Sequence, residues 1–225
     1  MKRSTMRSLA TLILLAAPCA TAFGQQPAEN HLDTLPKVSS STTTVTPIFS
    51  QLLVFSMPKG FAPVGSSTRF GKYTQQSVPF GQTVSRWTEM ITVAAEKDAA
   101  RMPRVNAQKL AEGIAGFFRK NCPDSFGVAS FGPLKVERYD GFATVISCGI
   151  VDAATPQSEA LLLVTIAGEN EMYTLQWAER GPPSKVALPI DPQKWQDRLA
   201  RIAPVRLCAI VPGESPPYPS CMQNR

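Results

Sequence analysis

Side chains able to do chemistry are few in this 225-residue chain. Its one histidine, His31, lies in a stretch of small polar residues. The segments able to build a core therefore hold no imidazole for a Ser–His–Asp relay, a Cys–His pair or a histidine metal site. No Gly-x-Ser-x-Gly elbow, phosphate-cradling Walker loop, His-Glu-x-x-His helix or EF-hand loop occurs. Carboxylates remain for acid–base work, and Glu89 is the one that stands out. Residues alternate from Arg86 to Ala94, which puts Trp87, Glu89, Ile91 and Val93 on one strand face. A carboxyl group among apolar neighbours keeps its proton to higher pH and can serve as a general acid. A place near the sheet end, or an arginine partner, would make Glu89 structural instead. A glycosidase needs a second carboxylate nearby, and Asp140 and Asp152 bracket a different strand.

Thiol chemistry needs an activated cysteine. Cys122 precedes Pro123 at the C-terminal end of a predicted helix, where the helix dipole disfavours a thiolate. Cys208 and Cys221 are too far apart for a Cys-x-x-Cys redox pair. With Cys19 in a removable leader, four cysteines remain, an even number that suits disulfides in an exported chain. Of the possible connectivities, proximity in sequence and in structural unit favours Cys122–Cys148 and Cys208–Cys221. The first closes a loop of about 25 residues, which stabilises by about 3 kcal/mol in the chain-entropy description.

The leader itself is legible. Lys2, Arg3 and Arg7 precede the apolar run Leu9–Ala17, Pro18 ends it, and Ala20-Thr21-Ala22 supplies small residues for cleavage between Ala22 and Phe23. Residues 1–22 are thus expected to be a signal peptide, and the mature protein to be periplasmic or secreted. Pro18 stands where a lipobox has a small residue before Cys19, which argues against lipidation. Removing three basic residues and no acid lowers the formal charge from +6 to +3. The remaining charges are scattered, so the basic stripe of a nucleic-acid partner is missing. No apolar run reaches the ~20 residues of a membrane-spanning helix.

The elements that must position these groups follow from periodicity. Residues 23–47, with Ser39-Ser40-Ser41-Thr42-Thr43-Thr44, read as a flexible linker, and 212–225 (PGESPPYPSCMQNR) as a Pro-rich tail. Between them, 48–211 reads as a single domain. Ile48–Ser56 and Thr68–Val78 are β-compatible. Leu110, Ile114, Phe117 and Phe118 form the apolar stripe of a helix between Arg104 and Asn121. Four more strand-like runs follow, Ser125–Val136, Tyr139–Asp152, Ser158–Ala167 and Glu171–Arg180, with turns at Asp140-Gly141 and Gly168-Glu169-Asn170. A second helix opens at Asp191-Pro192, with Trp195, Leu199 and Ile202 as its stripe. The fold class is α+β: an antiparallel sheet of about six or seven strands flanked by two helices, an α/β/α sandwich. Trp87, Tyr173 and Trp177 read as core. Arg69, Phe70 and Tyr73, in a polar Gly-containing stretch, could frame an exposed binding groove.

Phe55-Ser56-Met57-Pro58-Lys59-Gly60-Phe61 is an apolar strand running into Pro-x-Gly-aromatic. With the meander, mid-chain helix, further strands and final Trp-containing helix, the order resembles the PsbP-like fold family, which includes the Ran-binding Mog protein and periplasmic DcrB-type proteins. The resemblance covers about residues 48–203. It implies a non-enzymatic binding or assembly role and brings no catalytic residue to this chain. The combined reading is an exported binding or accessory protein of the bacterial cell envelope, without a cofactor, whose partner is an envelope protein or a small ligand. A carboxylate-dependent envelope hydrolase and a secreted surface or effector protein are the alternatives. Alkylation followed by intact-mass measurement of the exported protein should modify four thiols only after reduction, on a chain beginning at Phe23. A thiol that reacts without reduction would reopen thiol chemistry at Cys122.

Overall fold

The computed structural model describes residues 30–35, 37, 40–151 and 156–222. The expected leader and its cleavage site between Ala22 and Phe23 lie outside them. In chain order the strands and helices are β1 (Asn30–His31), β2 (Ser41–Ile48), β3 (Gln51–Pro58), β4 (Phe61–Arg69), β5 (Lys72–Pro79), β6 (Glu89–Glu96), α1 (Ala107–Asn121), β7 (Phe126–Val136), β8 (Tyr139–Cys148), β9 (Ser158–Ala167), β10 (Met172–Gly181), α2 (Pro192–Ile202), β11 (Arg206–Ala209) and α3 (Pro219–Met222). Eight strands form one sheet in the order β1-β7-β8-β9-β10-β6-β5-β4, antiparallel except where β1 meets β7. A smaller sheet has the order β11-β3-β2.

The apolar run of β9 lies near the middle of the large sheet, where both faces are covered. Leu161 and Leu163 point to one side, with Ile146, Met90, Val78 and Ala178, beneath Ala111, Ile114 and Phe118 of α1. Leu162, Val164 and Ile166 point to the other, with Val145, Leu175 and Trp177, against Trp195 and Ile202 of α2 and Leu53, Phe55 and Leu207 of the small sheet. Each such fully buried side chain contributes about 1.5–3 kcal/mol. The molecule is thus a three-layer α+β structure, with α1 on one face and α2 plus the small sheet on the other.

Local chemistry sets the element ends. Asn106 accepts from the Lys109 amide at 2.8 Å, so α1 starts after this cap rather than at Arg104. Asp191 caps α2 by accepting from Gln193 N at 3.0 Å, with Pro192 at the first helical position. The β9–β10 turn falls at Gly168–Asn170, as read from the sequence. The β7–β8 turn falls at Glu137-Arg138 instead of Asp140-Gly141. Glu137 takes the left-handed φ of 54°, and Gly141 sits inside β8 because a Cβ there would come within 2.3 Å of the Leu134 side chain.

The large sheet has eight strands rather than the six or seven expected, and three segments also differ from the sequence expectation. The Ser/Thr run is not a linker: Ser41–Ile48 pairs along its length with β3. Threonine and valine suit a pleated strand, and Ile48 is buried in the core. Upstream, His31 pairs beside Lys135 in β1, and Leu32 is buried. The polar stretch 68–78 is two strands of one hairpin, turning at Phe70-Gly71. In the Pro-rich tail, Pro219–Met222 makes one helical turn that carries Cys221 under the small sheet.

The small sheet is fastened to the large one by buried polar groups. Glu171 is 2% exposed and accepts from Ser50 Oγ at 2.5 Å. The Tyr173 hydroxyl donates to the Ile48 carbonyl at 3.2 Å, and Gln51 Oε1 accepts from Glu169 N at 2.8 Å. The β2–β3 turn is therefore docked on the β9–β10 turn. Burial first, then the Glu171 charge, holds the Tyr173 phenol well above its usual pKa. Above about pH 10 unfolded tyrosines ionise while Tyr173 keeps its proton, so stability should fall as pH rises, by about 1.4 kcal/mol per pH unit for this residue. Urea melts between pH 9 and pH 11 should show this loss, and Tyr173→Phe should make the decline shallower by about one tyrosine's share.

Candidate functional site

Glu89 begins β6 and lies directly across from Glu179 of β10. Two like charges on facing positions repel, and α2 supplies the cation between them. Arg198 Nη2 lies 2.7 Å from Glu179 Oε1 and 3.3 Å from Glu89 Oε1. Lys194 adds a second contact to Glu179. Glu89 Oε2 accepts from Trp177 Nε1 at 3.0 Å. The Arg198 guanidinium stacks over the Trp177 ring at 4.4 Å, Arg201 follows at 5.2 Å, and Phe61 meets the same ring edge-on at 5.8 Å. Alternation places Glu89 on the face of Ile91 and Val93, as expected, but Trp87 is not on that face. Trp87 precedes β6 and packs on the opposite side of the sheet with Val78, Met90 and Ala178, where Arg180 covers its ring at 3.9 Å. Both Glu89 oxygens meet donors, and the carboxylate fixes Trp177 and Arg198 in place.

The four cysteines form two bridges, Cys122–Cys148 and Cys208–Cys221. The first ties the end of α1 to β8, and the second ties α3 to β11. Both are buried or nearly so, and neither offers a thiolate. Among the described residues no three His, Cys, Asp or Glu side chains gather as metal ligands.

Arg69, Phe70 and Tyr73 do not share a groove. Phe70 is 99% exposed at the β4–β5 tip. Tyr73 is partly buried against the main core, and that burial raises its phenol pKa. Two larger concave surfaces among the described residues lie elsewhere. One, of about 520 Å³, runs between β2 and the β4–β5 hairpin, with Thr42, Thr44, Lys59, Gln75 and Ser77 beside Met57, Phe61 and Phe80. The other, of about 560 Å³, lies between α2 and the β1–β7 edge. Its walls are Leu35, Phe131, Pro133, Pro192 and Leu199, its floor Leu134 and Ala143, and Asn30, His31, Ser130 and Gln196 supply polar atoms. Sequence reasoning missed this second groove because it placed 30–35 in a linker. Leu32 and Leu35, spaced i and i+3 within a polar stretch, were the available signal.

No family description matches the chain, and no curated protein matches it in sequence. Among solved structures, it is similar to the Ran-binding protein Mog1p of Saccharomyces cerevisiae, with a TM-score of 0.39 and 9% identity over 73% of this chain and 86% of that one. LpqN, involved in cell envelope biogenesis of Mycobacterium tuberculosis, gives 0.37 and 11% over 75% and 91%. A Bacteroides thetaiotaomicron protein gives 0.39 and 13% over 79% and 52%. Likeness of this degree carries no argument about family or function.

The charged cluster has a measurable consequence. Glu89→Ala should lower stability by about 1–3 kcal/mol, because it leaves the Trp177 N–H and one side of Arg198 without an acceptor. That corresponds to a melting-temperature drop of roughly 2–10 °C in a chain of this size. In a double-mutant cycle with Arg198→Ala the two effects should be strongly non-additive.

Proposed function

We propose that this protein is an exported, non-enzymatic binding or accessory protein of the bacterial cell envelope, and that its ligand occupies the groove between α2 and the β1–β7 edge. The groove is the observation that carries this reading. Its volume suits a small ligand or a few side chains of a partner, and apolar walls with a few polar atoms are the usual make-up of such sites. The smaller groove near Phe61 offers less apolar surface to cover.

Export is supported by the basic, apolar and small-residue succession at residues 1–22 and by two disulfides, which persist in oxidising compartments. No helix among the described residues is long and apolar enough to cross a membrane. The binding reading is also supported by what the reactive side chains are already doing. Glu89 holds Trp177 and Arg198, and the four cysteines outside the leader are bonded to one another.

Anilinonaphthalene sulfonate is a suitable probe of the groove. Its fluorescence should rise saturably with one site per chain, and Leu35→Ser, at a side chain 37% exposed, should weaken it several-fold without lowering the melting temperature. Thr44→Ala in the other groove should leave the titration unchanged. Dye binding indifferent to Leu35→Ser would remove the groove from consideration. Saturable turnover of a hydrolase substrate, abolished by Glu89→Gln, would overturn the non-enzymatic reading.

A further inference from the structure

The β4–β5 hairpin ends in a feature that neither the core nor the grooves use. Arg69 faces Lys72 in register, and Phe70-Gly71 makes the two-residue turn between them. The turn residues have φ of 50° and 73°, a pair of left-handed positions for which Asn-Gly is the favoured sequence. Phenylalanine is unfavourable there twice over. Its Cβ crowds the backbone in the left-handed region, and its ring, 99% exposed, lies almost wholly in water. The tip is nonetheless held firmly, since Lys97 N donates to the Gly71 carbonyl at 2.8 Å and ties it to the end of β6.

The surroundings of the ring are basic. Arg69 and Lys72 flank it, Lys97 follows β6 beside the turn, and farther along that segment come exposed Arg104 and Arg101, the latter bonded to Asn170 at 2.8 Å. Glu96 and Asp98 are the acids of these two segments, and Glu96 meets Lys72 at 3.5 Å. Over residues 69–72 and 96–104, five cations against two acids give a formal charge of +3.

We propose that this tip docks the protein on an anionic phospholipid surface, with the Phe70 ring entering the headgroup–acyl boundary and the surrounding Lys and Arg side chains meeting lipid phosphates. A binding hot spot for a folded protein sits inside a broad, closely packed area that excludes water. Phe70 instead projects alone from a convex turn and lines neither groove. A fluid interface accepts such a ring wherever it lands, aromatic side chains favour that depth, and each nearby cation adds attraction to anionic headgroups. One ring and a few cations give reversible, salt-sensitive attachment rather than permanent anchoring. Location in an envelope rests on the function proposed above, whereas the vesicle measurement below is independent of the groove and leaves that reading intact if it fails.

Co-sedimentation of the full mature chain with vesicles of phosphatidylethanolamine and phosphatidylglycerol tests the proposal, with phosphatidylcholine vesicles as the uncharged control. Binding should be confined to the anionic vesicles at low salt and weaken several-fold at physiological ionic strength. Phe70→Asn should cut the partition coefficient by about tenfold or more, the change expected for one ring left in water. The same substitution should keep or raise the melting temperature, because Asn is at ease in the left-handed turn. The emission of Phe70→Trp should shift to shorter wavelength on adding anionic vesicles. No binding to anionic vesicles, equal binding to phosphatidylcholine, or a Phe70→Asn variant that partitions like the parent would overturn the proposal. Capture of a protein partner that depends on Phe70 while vesicles are ignored would likewise overturn it in favour of a protein surface.

Discussion

Strand β9 cannot be half-solvated. Leu161 to Ile166 present apolar side chains to both faces of the sheet, and the rest of the architecture meets that demand. One cover is α1, laid over β8 and β9 and tied at its end by Cys122–Cys148. The other is composite, made of α2 and the small sheet, because one eleven-residue helix is too narrow to shield a sheet of this width. Each cover has its own fastening. A covalent bridge holds the first, while Arg198 and Lys194 on Glu89 and Glu179, together with Glu171, Tyr173 and Gln51, hold the second.

This division explains where the charged residues went. Arg198 lies across the Trp177 ring and between two carboxylates. Removing Glu89 would leave the buried Trp177 N–H without its acceptor, the expensive kind of change. Glu89, which on its own reads as a candidate acid, is instead the acceptor that joins the rim of the sheet to the helix above it.

The parts legible in the sequence were those governed by period and by caps. The Leu-rich β9, the helix stripe of Trp195 and Ile202, the Asp191-Pro192 start and both cysteine pairs follow from local rules that tertiary structure had no reason to override. The Ser/Thr strand β2 was hidden because its pairing partner β3, not its composition, makes it a strand. A run of Thr and Ser has β propensity but little hydrophobicity, and only burial of Ile48 and Thr46 reveals its inner face. The face of Trp87 was hidden for a related reason: alternation holds within β6, which starts at Glu89, and fails in the irregular loop ahead of it. The groove escaped notice because its wall is assembled from 30–35, β7 and α2, which are each more than fifty positions apart and whose convergence no local pattern records.

The small sheet has a further implication, for the order in which the molecule can be completed. Its central strand, β3, arrives early in the chain, and its two neighbours come from opposite ends of the folded part: β2 just before it and β11 some 150 residues later. While the chain emerges from a ribosome or a translocation channel, β3 has one edge paired and the other bare, with Leu52, Leu53, Val54 and Phe55 beside open backbone donors. The edge is closed by the last strand to appear, and the Cys208–Cys221 bridge then clasps that closing strand to α3. Until then, an aggregation-prone edge must be kept from other chains. Strand β11 and helix α3 are therefore the clasp of the molecule.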